Sequence, residues 1–170
     1  KWNAQAPALF AVELGGEQAL RDITAYAHEL GIDPEPASRA LGDSPLAFHA
    51  LSLDEAGKPV AILHSDEGFR WLLVDPPAQE LERGLAAISR PFPAGLFTDA
   101  GLLVANAAHV AVELRREFSR FAYHGAVVWS WQQALMAAAL DRQLRREDLP
   151  AALRTRLAEV RRELWQAIDG

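Results

Sequence analysis

Apolar positions recur at three- and four-residue spacings over residues 17–30, where Leu20, Ile23, Ala27 and Leu30 make one stripe. That spacing predicts an amphipathic helix, and Gly31 is placed to cap its C-terminus. A short helical turn is expected over 36–41, stopped by Gly42. The pattern then changes to short apolar runs at 48–53, 60–64 and 69–74, with the tetrad Ser65-Asp66-Glu67-Gly68 between the last two. These runs predict extended pieces or a small hairpin. Pro76-Pro77 opens a helix over 78–89 that Pro91 ends. Residues 91–106 are rich in Gly and Pro but carry Phe92, Leu96, Phe97, Leu102 and Val104, which predicts a long ordered loop.

A helical stretch is expected over 107–121. Ser130 and Gln133 have the spacing of a capping box, which predicts a helix to about Arg145. Asp148 is placed to cap a last helix over 149–168, with Leu153, Leu157, Val160, Leu164 and Ile168 as its stripe. The short connection predicts an antiparallel αα-hairpin. The chain therefore reads as mainly α, with short extended excursions on the loop side.

Composition narrows the classes. The 170 residues are half hydrophobic, enough to bury roughly two-thirds of the unfolded surface in one domain. A net charge of −6 argues against nucleic acid as partner, which would need a basic face. The arginines between 142 and 162 are interleaved with acids and read as a solvated helix face. With no cysteine, disulfides and thiolate metal sites are excluded. The longest apolar block, 134–140, falls far short of the roughly 20 residues of a membrane span. No signal peptide is visible, and the start Lys-Trp-Asn reads as a processed or excised piece of a longer chain. The expected compartment stays open between cytoplasm and periplasm or secretion.

Three clusters carry candidate chemistry. In His64-Ser65-Asp66-Glu67-Gly68-Phe69, an acid beside apolar rings would have its pKa raised by desolvation, which suits general acid or base work. An ordinary hairpin turn with solvated acids is the competing reading. In the loop 95–106, Thr98 and Asn106 are placed to bond a ligand or to satisfy the backbone, with Asp99 as a further acid. The third cluster sets Tyr123, His124, Trp129 and Trp131 beside Gln132 and Gln133, four rings and two carboxamides in eleven residues. Rings beside amides suit a sugar, whose apolar C–H faces stack while its hydroxyls need paired hydrogen bonds. Burial of both tryptophans in the terminal hairpin is the alternative. The five histidines lack the spacing of a helix-borne metal site, so neither a metal nor another cofactor is expected. There is no nucleophile elbow and no phosphate-cradling glycine loop.

The run Gly95-Leu96-x-Thr98, followed by Tyr123-His124-Gly125-x-x-Val128-Trp129-x-Trp131-x-x-Ala134-Leu135, resembles the C-terminal signature of glycogen-debranching-type proteins. These belong to the six-hairpin glycosidases. The resemblance implies the C-terminal part of a bacterial-type (α/α)6 toroid, built of antiparallel helical hairpins. Residues 1–170 would then be one incomplete domain, completed by an upstream portion of the same polypeptide or by another chain. Alone, such a piece would leave barrel-facing stripes exposed. The resemblance further implies hydrolysis of an α-glucan or other oligosaccharide, with inversion, by two carboxylates. Tyr123, His124, Trp129, Trp131, Gln132, Gln133, Thr98 and His64 would bind the sugar.

The chain departs from that signature in three places. Gly125 directly follows His124, Ser130 stands for the common Pro, and Gln132-Gln133 replaces Asp-Asn. Val128 also occupies a position that is acidic in eukaryotic debranching enzymes. These departures move the expected acid/base to Glu67 or Asp66, with the second carboxylate elsewhere. The alternative expectation is a non-catalytic carbohydrate-binding or structural helical module.

Overall fold

A computed structural model of the protein describes residues 2–169. The chain opens with helix α1 (Trp2–Phe10) and strand β1 (Ala11–Leu14), then α2 (Gly16–Leu30) and α3 (Glu35–Leu41). Strands β2 (Leu46–His49), β3 (Ser52–Leu53), β4 (Pro59–Val60) and β5 (Leu63–His64) lead into α4 (Glu67–Leu73) and α5 (Ala78–Ile88). The loop region holds β6 (Phe97–Thr98), β7 (Gly101–Leu102) and β8 (Ala105–Asn106), followed by α6 (Val112–Arg115) and a 3-10 turn, η1 (Arg116–Phe118). Helices α7 (Ser130–Leu144) and α8 (Ala151–Asp169) close the described chain.

Four two-stranded antiparallel sheets, β1–β2, β3–β4, β5–β8 and β6–β7, are interleaved with the helices. This overturns the expected fold class. The chain is 52% helical and mixed α/β, and it is too small to be read as part of an (α/α)6 toroid. Among the described residues, consecutive long helices pack as a pair in α7–α8 alone, where the expected short connection is found. Ile168 near the end of α8 is exposed, while the rest of the expected stripe is buried at Leu153, Leu157, Val160 and Leu164. They join one continuous core with Ile23, Leu46, Trp71, Leu85, Leu96 and Leu140. No helix among the described residues is long and apolar enough to cross a membrane.

Several local expectations are corrected for identifiable reasons. The run 69–74, expected to be extended, lies in helix α4 and at its end. Its aromatic and aliphatic residues suit a strand, but as a helix the segment packs Trp71 against Gly84 of α5 and Gly68 on α7. Gly68 lets the two helices close, since a Cβ there would sit 2.8 Å from Leu135 Cδ2. The tetrad 65–68 is thus a strand-to-helix turn rather than a hairpin. Helix over 107–121 is reduced to α6 and η1. There the Arg115 guanidinium donates to the Ala108 and Val110 carbonyls, and Asn106 Oδ1 accepts from Ala108 N–H, which fixes an irregular backbone.

The capping box at Ser130 does not form. Trp129 is the N-cap residue, and Gln133 Oε1 accepts from Leu102 N–H at 3.3 Å. Asp148 pairs with Arg146, and the last helix starts at Ala151 after Pro150.

Candidate functional site

Glu67 opens α4 three residues after His64 ends β5, so the turn between them aims both side chains at one cavity of about 620 Å³. His49, the last residue of β2, Arg70, one helical turn after Glu67, and Asp75 beyond the end of α4 add to its polar lining. Phe10, Phe69, Leu73 and Pro76 supply much of the apolar wall. The volume is in the range of small-molecule sites, and an apolar wall with a few polar groups is their usual composition.

Glu67 is 8% exposed and well paired. His49 Nδ1 lies 3.3 Å from each of its carboxylate oxygens, and Arg70 Nη1 donates to Oε1 at 3.0 Å. Burial alone would raise the carboxyl's pKa. His49 and Arg70 together outweigh burial and hold it below its ordinary value. The expectation of a raised pKa is therefore corrected: Glu67 is an ionised carboxylate, suited to accept a proton rather than to supply one. Arg70 also pairs with Glu80 of α5, so its guanidinium is bracketed by two acids.

His64 is buried, and neither ring nitrogen has a hydrogen-bond partner. Its pKa is lowered, first by burial, with Glu67, Asp66 and the nearby Ala50 backbone acting in the opposite direction. The imidazole is neutral at pH 7, with one donor and one acceptor nitrogen.

Asp66 does not line the cavity. Its carboxylate accepts from Gln132 Nε2 at 2.6 Å, and the same Nε2 reaches Ser65 Oγ at 2.9 Å. Buried Gln132 thus braces the strand-to-helix turn from α7, and Gln133 braces the β6–β7 hairpin from the same helix. Thr98 Oγ1 donates to the Gly101 carbonyl within that hairpin. Asn106 is fully buried and donates to the Pro93 and Gly95 carbonyls, so its groups serve the loop itself.

The rings of the 123–131 stretch separate into two places. Tyr123 lies 4.8 Å from His124 and 4.7 Å from Trp129, and Trp129 Nε1 donates to the Tyr123 carbonyl at 2.9 Å. This cluster is exposed through Tyr123 and His124 and does not line the cavity. Trp131 is half-exposed and lies 6.2 Å from Phe69, which does line the cavity.

Three polar lining residues, His49, Arg70 and Asp75, were missed from sequence. The alternation of buried Leu46 and Phe48 with Ala47 and His49 on the other face was the available signal for the first. The Glu67–Arg70 spacing becomes a signal once the segment is helical. Among the described residues, no group of three His, Asp or Glu side chains could hold a metal ion. Compared with known protein families, curated proteins and solved structures, the chain matches none.

Proposed function

We propose that the Glu67 cavity is the sugar site of a glycoside hydrolase acting on an α-glucan or another oligosaccharide, with Glu67 as the water-activating base. One observation carries this reading: a buried, ionised carboxylate and an unpaired neutral imidazole line a cavity whose wall is aromatic and aliphatic. A sugar ring needs that pairing of surfaces, an apolar wall for its C–H face and buried polar groups for its hydroxyls. The resemblance of the 95–98 and 123–135 segments to debranching-type loops supports the same class.

In an inverting reaction the base takes a proton from water, whose oxygen bonds to the anomeric carbon as the glycosidic bond breaks. A second carboxyl protonates the leaving oxygen. Asp75 also lines the cavity but is engaged by Arg142 at 2.5 Å, so the reading assigns the acid to a carboxyl outside this cavity.

The second reading is non-catalytic carbohydrate binding. It is favoured by the double engagement of Glu67 by His49 and Arg70, which stabilises the carboxylate and weakens it as a base.

The test is to incubate the protein with maltohexaose and follow anomeric protons by NMR. The hydrolytic reading expects the β-anomer to appear first and Glu67→Gln to abolish release. Binding of maltohexaose without release selects the second reading. Absence of both binding and release rejects the carbohydrate assignment.

A further inference from the structure

The polar groups around the cavity are unequally satisfied. Arg70 is held by Glu67 and Glu80, Asp75 by Arg142, and His49 by Glu67. Only His64, among these lining residues, has buried polar atoms without a partner, and both of its ring nitrogens are closed to water. A buried donor and acceptor left unmade are costly, and such a pair in a cavity wall marks where a ligand makes the missing bonds. The small remaining exposure of His64 is not on its nitrogens. A turn of the ring about Cβ–Cγ exchanges its nitrogen and carbon edges, which is the motion by which a ligand would reach a donor or an acceptor.

Charge gives the second constraint. The histidines aside, the lining carries two carboxylates, Glu67 and Asp75, against one guanidinium. With their partners Glu80 and Arg142 the count is three acids against two arginines. An anion entering the cavity meets this excess of negative charge. The one cation available to it, Arg70, is already neutralised from both sides.

We propose that the cavity takes an uncharged, hydroxyl-bearing ligand and rejects its anionic counterparts, with His64 pairing with a ligand hydroxyl and Glu80 keeping Arg70 from serving as an anion site. This rests on the carbohydrate reading for the identity of the ligand but not for its charge. Sugars bearing phosphate or a uronic carboxylate are therefore excluded from the substrate class. Glu80 acts at one remove, as a positioning residue for selectivity.

The experiment is calorimetric titration of the protein with four probes: maltotriose, glucuronate, myo-inositol and myo-inositol 1-phosphate. Maltotriose is expected to bind, with glucuronate at least about tenfold weaker. His64→Phe, which keeps the ring volume, should weaken maltotriose about ten- to hundredfold, the loss of one or two buried hydrogen bonds. Glu80→Gln should leave maltotriose unchanged and improve glucuronate several-fold. Circular dichroism checks that both variants fold. Glucuronate binding as tightly as maltotriose, or His64→Phe binding maltotriose like the parent, overturns the inference. If myo-inositol binds over its 1-phosphate while maltotriose does not, the charge selection stands and the carbohydrate reading fails. If none of the four probes binds, both are overturned.

Discussion

His49 Nδ1 stands 3.3 Å from both carboxylate oxygens of Glu67, across a strand and a helix that are 18 residues apart in sequence. With Arg70 on the same carboxylate, this contact keeps a buried acid ionised. Glu67→Gln keeps the shape and removes the charge. It should cost about 1–3 kcal/mol at pH 7, the range for a buried hydrogen-bonded charge. Because the folded pKa is depressed, the charge's contribution is complete above about pH 4.5 and is lost as pH falls through the folded value. Urea unfolding at pH 7 and pH 3.5 should show the gap between parent and variant closing in acid.

His64 and His109 titrate in the opposite chemical sense but the same stability sense. Both are held neutral, first by burial; Glu67, Asp66 and the nearby Ala50 backbone oppose this at His64, and Asp22 opposes it at His109. Arg115 near His109 and His49 near His64 reinforce the neutral form. The unfolded chain takes up protons below about pH 6.5 that the folded chain refuses. Stability is therefore full above that pH and falls below it, with a limiting slope of about 1.4 kcal/mol per pH unit for each group. Thermal melts from pH 7.5 to 5.5 should show this decline, and His64→Phe should make it shallower, leaving the share of His109.

Gly101 adopts φ +121°, and a Cβ there would sit 2.0 Å from Gln133 Oε1, the group that accepts from Leu102 N–H. Gly101→Ala should destabilise by about 2–4 kcal/mol, combining backbone strain with a displaced buried amide. Adding Gln133→Ala relieves the clash but not the strain, so urea midpoints should recover only in part.

Gln143 Nε2 donates to the carbonyls of Trp71 at 2.5 Å and Val74 at 3.1 Å, closing the end of α4 from α7. Arg142 reaches the same carbonyls at 3.4 and 2.8 Å. Gln143→Leu should cost about 1–3 kcal/mol in a thermal melt, toward the low end because Arg142 still serves Val74.

Helices α2 and α8 were legible from an apolar stripe at helical spacing, and α5 from the prolines on either side of it. Helix α7 was placed correctly although the capping box that suggested it does not form. The expected assembly was not legible. The buried stripe of α8 was legible, but not that α5 and β7 join α7 in covering it, in a fold that mixes small sheets with helices. Segment 69–74 was misread because Phe69, Trp71 and Leu72 suit a strand, and the closeness of Gly68 to α7 shows only in three dimensions.

The site divides in the same way. Local sequence drew attention to Glu67 and His64, which line the cavity, and to Asp66, which Gln132 holds away from it. His49 enters through the antiparallel pairing of β2 with β1, a long-range register that no local pattern states. The Tyr123–Trp129 rings form a cluster of their own and leave Trp131 as the ring of that stretch nearest to the cavity wall.

Where a sugar binds is thus the point on which the account turns. Titration of isotope-labelled protein with maltotriose, followed by backbone amide shifts, reads it residue by residue. The account predicts shifts concentrated at His49, Ala50, His64, Glu67, Phe69 and Arg70. Shifts confined to Tyr123, His124 and Trp129, or no shifts at all, would contradict it.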